Sequence, residues 1–241
     1  MSTGWFKPMK SHYCGVQMES DFLATMLLTF KLASITTFIL LLISIPLASF
    51  LVFTKMRFKA VIETVVSMPL VLPPSVLGFY LLITFSPSSA IGTFLGDHGI
   101  HLAFSFDGLV VSSVIFSLPF MVHPIQSALA QVPVSIFEAA YTLGKSKLTT
   151  MLRVILPTIR HGLISGMVLA FAHTVGEFGV ILMIGGNIPG ETRVASIAIY
   201  DEVESLNYDV AHQYALTLFV VTFVILLLVY TLNKKSLEGL R

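Results

Sequence analysis

The sequence predicts an all-α integral membrane protein, with five transmembrane helices and one polar helical hairpin on the cytoplasmic side. Three observations lead there. Only 11% of the 241 residues are charged and 55% are hydrophobic, giving a mean hydropathy of +0.88, whereas soluble domains carry about 25% charged residues. The apolar residues fall in runs long enough for a bilayer core, which takes about 20 of them. One stretch, residues 132–160 (VPVSIFEAAYTLGKSKLTTMLRVILPTIR), interrupts the pattern with the longest run of mixed charge in the chain. The net charge of +1 decides little, because its distribution matters more than its total. Cys14 is the lone cysteine, so no intrachain disulfide forms. No apolar run precedes it to make a lipoprotein cleavage site, and residues 1–21 are too polar for a signal-peptide core.

Taken in order, residues 1–21 read as a polar extracytoplasmic segment, and the first span is 32–53, with Lys31 snorkelling to the interface. Pro46 is expected to kink it. Lys55, Arg57 and Lys59 follow at once. The second span, 60–85, contains Pro69, Pro73 and Pro74, which predicts a broken helix covered by protein or lining a cavity. Residues 87–107 read as a loop. Its Asp97, His98 and His101 lack the further ligands of a closed metal site, so no metal is expected there. The third span is 108–126, the fourth 162–184 and the fifth 214–232, leaving a tail at 234–241. With five spans, Lys55, Arg57, Lys59, the hairpin, Lys234, Lys235 and Arg241 share one side. The other side holds Lys7, Lys10 and Arg193 as its basic residues. The positive-inside rule then places the hairpin and C-terminus in the cytoplasm and the N-terminus outside.

The hairpin has its own signals. Pro133 suits the first turn of a helix, Gly144 the left-handed position that ends one. Leu148, Met151, Leu152 and Ile155 then form a single apolar stripe of a second helix, closed by Pro157. Read on these residues alone, it is either a docking element or an amphipathic hairpin lying on the membrane. Residues 139–146, AAYTLGKS, end like a phosphate-binding loop. Ala139 stands where that motif needs glycine, and no strand precedes it, so ATP is not expected to bind there.

Glu138-Ala139-Ala140, Gly144 and Ile155-Leu156-Pro157 resemble the EAA loop of ABC-importer permeases. Met68 to Gly78 (MPLVLPPSVLG), Gly176-Glu177-Phe178-Gly179 and residues 185–193 (GGNIPGETR) are similar to segments of molybdate permeases, and sulfate and thiosulfate permeases share a version of the last stretch. The resemblance covers nearly the whole chain after about residue 22. It implies a type I ABC importer permease fold over 22–233, with Glu138, Ala139, Ala140, Gly144, Leu156 and Pro157 coupling to a separate ATPase. It further implies a homodimer, two cytoplasmic ABC ATPase subunits that bind ATP and Mg, an extracytoplasmic oxyanion-binding protein, and a place in the cytoplasmic (inner) membrane. This chain itself would bind no cofactor, metal or nucleic acid and hold no catalytic residue. The cargo implied is molybdate, with tungstate and sulfate or thiosulfate as alternatives.

Glu177 is an acid inside a span, a functional-site candidate by default. His173 lies four residues earlier and is expected to face it on one helix. With Pro73 and Pro74 these are the pathway or gate candidates. A gating or packing role for Glu177 is favoured over cargo contact, since a negative charge repels an anion. A proton-coupled secondary transporter using Glu177 is the reading of a different class. At the outer surface Asn187 and Arg193 are candidates, with a salt bridge from Arg193 to Glu191 as the plainer alternative. Asp201, Glu202 and Glu204 belong to an acidic rim suited to docking a basic patch of a binding protein. Ser112, Ser113, Ser117 and Thr174 are expected to serve helix packing.

Overall fold

The computed structural model describes residues 11–238, and side-chain environments within 21–231 apart from Leu228. Lys7, Lys10 and Arg241 lie outside the described residues, as do the side chains of Cys14, Lys234 and Lys235. In chain order the helices are α1 (Ser11–Phe53), α2 (Lys59–Val71), α3 (Pro74–Phe85), α4 (Ala90–Asp97), α5 (Phe106–Ala130), α6 (Val134–Thr142) and α7 (Lys147–Thr150). A π-helical turn, Met151–Ile155, leads into α8 (Leu156–Thr158). Then come α9 (Arg160–Gly176), α10 (Gly179–Gly185), α11 (Ala195–Glu204) and α12 (Tyr208–Glu238).

Among the described residues three helical stretches are long and apolar enough to cross a bilayer unbroken: Asp21–Phe53, Phe106–Ala130 and Tyr208–Thr231. Two bent pairs raise the number to five if each crosses once: α2 with α3, bent by 113°, and Lys147–Thr158 with α9, bent by 75°. Several expected boundaries change accordingly. The apolar run 32–53 is the C-terminal part of a longer helix that starts at Ser11 and continues through Lys31 and Pro46, because a helix satisfies its own backbone and needs no apolar side chains to continue past the membrane. Lys31 Nζ lies 4.5 Å from the centre of the Phe106 ring, near one end of the bundle. The second span is two helices. Leu72 N–H bonds Met68 O, and Pro73 and Pro74 have no N–H with which to go on. The fourth span stops at Gly176 and resumes at Gly179. The supposed loop 87–107 contains α4, whose N-cap Ser89 accepts from Gly92 N–H at 2.8 Å.

The core lies on α5, which packs against α1, α9, α10 and α2. Met121, Val122 and Ile125 of α5, Leu40 and Ala48 of α1, and Ile155 and Ala170 are fully buried in one cluster. Helix α9 crosses α5 through Gly162 and Gly166. A Cβ on Gly162 would stand 2.4 Å from Ala128 Cβ, and one on Gly166 would stand 3.0 Å from Met121 Sδ. This is the small-xxx-small contact of membrane helices, and it holds the far end of the hairpin to α5.

The bundle has two chemically different ends. At one, Phe53 packs edge-on against Phe137 of α6, with ring centres 5.2 Å apart. Lys55, Arg57, Lys59, Lys145, Lys147, Arg153 and Arg160 lie at this end with Glu63 and Glu138. At the other, Phe104 N–H bonds Ile184 O at 2.8 Å and Ala195 N–H bonds Thr29 Oγ1 at 2.8 Å. Here Asp97, Asp107, Glu191, Asp201, Glu202, Glu204 and Asp209 outnumber Lys31 and Arg193. Hairpin and acidic rim are therefore at opposite ends.

Candidate functional site

The hairpin is built by local backbone chemistry. Pro133 is the N-cap of α6 rather than its first helical residue. At the other end Gly144 (φ +69°) donates to Tyr141 O and Lys145 N–H donates to Ala140 O, at 2.9 and 3.1 Å. These two bonds make a Schellman motif, which needs a residue without Cβ strain at Gly144. They also turn both N–H groups toward carbonyls, so residues 139–146 form no open phosphate nest. Ser146 caps α7 by accepting from Thr149 N–H at 3.2 Å.

Ile136, Phe137 and Ala140 face the bundle, whereas Val134, Glu138, Ala139, Tyr141 and Leu143 are exposed. The second half departs from the expected single stripe. Leu148 and Leu152 are 69% and 55% exposed, while Ile155 is fully buried and Met151 packs beside it. The π-helical turn from Met151 to Ile155 adds a residue to the repeat, so residues spaced for one α-helical face divide between two faces. Leu156 packs against the core and Pro157 is exposed. The coupling candidates thus split into an anchored set, Ala140 and Leu156, and an outward set, Glu138, Ala139 and Pro157, joined by a patch of exposed leucines.

A second constellation lies midway along the bundle. The break at Pro73–Pro74 meets the break at Glu177–Phe178, because a Cβ on Gly179 would stand 2.7 Å from Pro74 Cβ. The sequence marks these positions separately, and the fold brings them together. Pro73, Pro74, Ser75 and Gly176 are exposed where the two breaks meet. Glu177 is 6% exposed. Its Oε1 accepts from Val180 N–H at 2.8 Å, capping α10, and its backbone carbonyl accepts from Ser196 Oγ at 2.6 Å.

His173 is not the partner of Glu177, contrary to expectation. The Glu177 carboxylate reaches forward to Val180 N–H at the start of α10, past the break in the helix, and not back along α9 to His173. His173 Nδ1 lies 2.9 Å from Ser117 Oγ, which also meets Thr174 Oγ1 at 3.1 Å. The His173 ring stacks on Phe120, centres 3.9 Å apart. Ser112, Ser113, Ser117 and Thr174 are all buried between helices, as a packing role requires.

At the acidic end, Thr192 Oγ1 donates to Gly185 O and accepts from Ile188 N–H, at 2.7 and 2.9 Å, closing the 185–193 turn. Asn187 sits in it at φ +62°. Arg193 does not pair with Glu191. It reaches Asp201 at 3.0 Å and Glu202 at 3.1 Å, both on α11, because the turn points it back across that helix. Glu202 also accepts from Asn207 Nδ2 at 2.8 Å, and Tyr200 O–H donates to Glu204. The expected docking triad is therefore already engaged within the chain. Among the described residues no three His, Cys, Asp or Glu side chains gather as a metal site.

Sequence reasoning missed two polar contacts between α2 and α5, Ser67 Oγ to His123 Nε2 at 3.2 Å and Gln126 Nε2 to Glu63 Oε1 at 2.9 Å. Neither partner was predictable, since each pair is more than fifty residues apart. It also missed the Gly162–Gly166 crossing, which the G-x-x-x-G spacing signals plainly.

An all-helical membrane bundle with broken helices at mid-depth and a helical hairpin projecting at its basic end is the architecture of a transporter's membrane subunit. Residues 40–237 match the family described as binding-protein-dependent transport system inner membrane component, and the chain belongs to that family. It is 46% identical over 210 residues to the molybdenum transport system permease protein ModB of Azotobacter vinelandii, covering 87% of this chain and 93% of that one. It is 39% identical to ModB of Escherichia coli K12, over 74% of this chain and 79% of the relative. The sulfate transport system permease protein CysT of Synechocystis is 32% identical, over 73% of this chain and 62% of the relative. In fold it is similar to a bacterial ABC transporter importing the acidic polysaccharide alginate, with a TM-score of 0.76 at 18% identity over 95% of this chain and 85% of that one. The MetNI methionine ABC transporter gives 0.69 at 14% identity, over 93% and 98%. The fold is that of a type I ABC importer permease.

Proposed function

We propose that this chain is the membrane subunit of an ATP-driven importer for molybdate. The observation that carries the reading is the juxtaposition of the two helix breaks, Pro73–Pro74 against Glu177–Gly179, with Pro73, Pro74, Ser75 and Gly176 exposed where they meet. Non-helical backbone at membrane depth is tolerated where it is buried in protein or lines a water-filled cavity. The cargo assignment is supported by 46% identity to a molybdenum permease against 32% to a sulfate permease.

In this reading two copies pair to enclose the pathway, and the exposed outer face of the hairpin seats on a cytoplasmic ATPase. Glu138 and Ala139 contact that partner, Ala140 and Leu156 transmit its movement to the bundle, and Gly144 sets the turn between the two halves. Lys55, Arg57, Lys59 and the hairpin are cytoplasmic by the positive-inside rule, leaving the 185–206 face to meet an extracytoplasmic binding protein. ATP and Mg belong to the ATPase, and this chain supplies no catalytic group. ATP-driven closure of the ATPase pair draws the hairpins together and opens the pathway outward; hydrolysis reverses it. Glu177 acts as a cap that holds the break in shape. Its engagement with Val180 N–H favours that role over a proton carrier.

Uptake of labelled molybdate into cells carrying this chain with its ATPase and binding protein tests the proposal, with excess tungstate or sulfate as competitors. Competition by tungstate but not sulfate, with loss of uptake in Gly144→Asp, is expected. Competition by sulfate moves the cargo to the sulfate branch. Uptake that persists without the ATPase sinks the ATP-driven reading and leaves a proton-coupled carrier.

A further inference from the structure

The turn between α1 and α2, Thr54–Phe58, alternates basic and large apolar residues: Lys55, Met56, Arg57, Phe58. It is locally ordered, with Met56 N–H bonding Thr54 Oγ1 at 3.4 Å and Lys59 N–H bonding Met56 O at 3.1 Å. Yet its side chains point away from the bundle. Met56 and Phe58 are 55% and 70% exposed, and Lys55 and Arg57 are exposed with no ion pair among the described residues.

The nearby carboxylate is occupied elsewhere. Glu63 meets Lys59 Nζ at 3.8 Å and accepts from Gln126 at 2.9 Å. At the opposite end the comparable cation, Arg193, is held by two carboxylates. Phe58 also begins an exposed apolar line along α2, continuing through Val61, Val65 and Met68, at the spacing of one helix face. Two unpaired cations therefore cap an outward apolar stripe at its membrane–water end.

From this geometry we infer that the Lys55–Phe58 turn binds an anionic phospholipid, with the phosphodiester headgroup at Lys55 and Arg57 and an acyl chain along the Phe58–Val61–Val65–Met68 face. A phosphate oxygen supplies the acceptors that the chain withholds from both cations, and Arg57 can present a two-pronged donor to it. The charge pattern selects this occupant over a second copy of the chain, whose identical turn would oppose like charges. Basic side chains just beyond a membrane helix are attracted to anionic lipid by about 1 kcal/mol each, so two give a preference of about thirtyfold over zwitterionic lipid, falling with salt.

The test uses the assembled transporter in lipid nanodiscs, with this chain's one tryptophan, Trp5, changed to Phe and Phe58→Trp as reporter, read as the difference from the same assembly retaining Phe58. Quenching by brominated phosphatidylglycerol should exceed quenching by brominated phosphatidylcholine at equal lipid fraction. The excess should vanish in Lys55→Gln/Arg57→Gln and survive in Lys55→Arg/Arg57→Lys. Equal quenching by the two lipids, an excess unchanged in the glutamine pair, or no quenching by either (Phe58 covered by protein) each overturns the inference. The readout is independent of cargo, so it stands or falls separately from the transport reading.

Discussion

Gly162→Ala tests how the hairpin is rooted in the bundle. A Cβ there would stand 2.4 Å from Ala128 Cβ and 3.0 Å from the Pro124 carbonyl oxygen. Carbon atoms in comfortable contact sit ~3.5–4.0 Å apart, so α9 and α5 must separate by about 1 Å at this half-buried crossing. Overpacking of this kind costs ~1–3 kcal/mol. Alanine recovers up to about 1 kcal/mol through its helix propensity, less here because Gly162 lies in the first turn of α9. The net expectation is a destabilisation of about 1–2 kcal/mol, or a midpoint lower by ~2–4 °C per kcal/mol for a chain of this size. Ala128→Gly removes the nearest clashing atom, at its own cost of ~0.5–1 kcal/mol. Thermal unfolding of the wild type, both single variants and the double variant in one detergent gives the coupling energy. It should favour the double variant by at least about 0.5 kcal/mol. A Gly162→Ala protein that melts higher than wild type, or two effects that simply add, would refute the close crossing and with it the account of how hairpin movement reaches α5.

Three further predictions probe the hairpin, the buried His173 contact and the acidic end. A Cβ on Gly144 meets nothing within 4 Å, so Gly144→Ala should cost only the left-handed backbone strain of ~1–2 kcal/mol, with Gly144→Asn milder; equal midpoints for both variants would show that the turn does not depend on φ. Ser117→Ala removes the hydroxyl shared by His173 and Thr174 and should lower stability by ~1–3 kcal/mol, read by the thermal midpoint; an unchanged midpoint would mean that the two side chains find other partners. The hydrogen bond to Glu204, helped by its charge, raises the Tyr200 phenol above 10.0. The folded state therefore holds this proton more tightly than the unfolded chain does, and the contribution is present below pH 10 and lost as pH rises through the folded value. Tyrosinate absorbance of wild type minus Tyr200→Phe should titrate above 10, and Glu204→Ala should bring it down; a wild-type midpoint at or below 10 would contradict the contact.

How much was legible beforehand depended on the range of the interaction. Membrane class, the hairpin, its glycine stop and the broken second span were all readable, because each rests on residues adjacent in the chain. The apolar runs report transfer into hydrocarbon, Gly144 reports a single backbone angle, and Pro73–Pro74 report two missing donors. Even locally the reading failed where the helical repeat itself changed. The π-helical turn at Met151–Ile155 split one expected stripe into Leu148 and Leu152 outside and Ile155 inside.

What the chain's composition and periodicity determined alone is that it must sit in a membrane as helices, with its basic residues gathered beside one helical hairpin. What only the tertiary structure decided is who meets whom. His173 turned to Ser117 instead of Glu177, Arg193 to α11 instead of its own loop, and Pro74 to Gly179 across more than a hundred residues. The physical reason is common to all three. A polar or broken segment in a low-dielectric interior must be satisfied somewhere, but sequence states only the need, and the packing of helices around α5 decides which group is near enough to meet it.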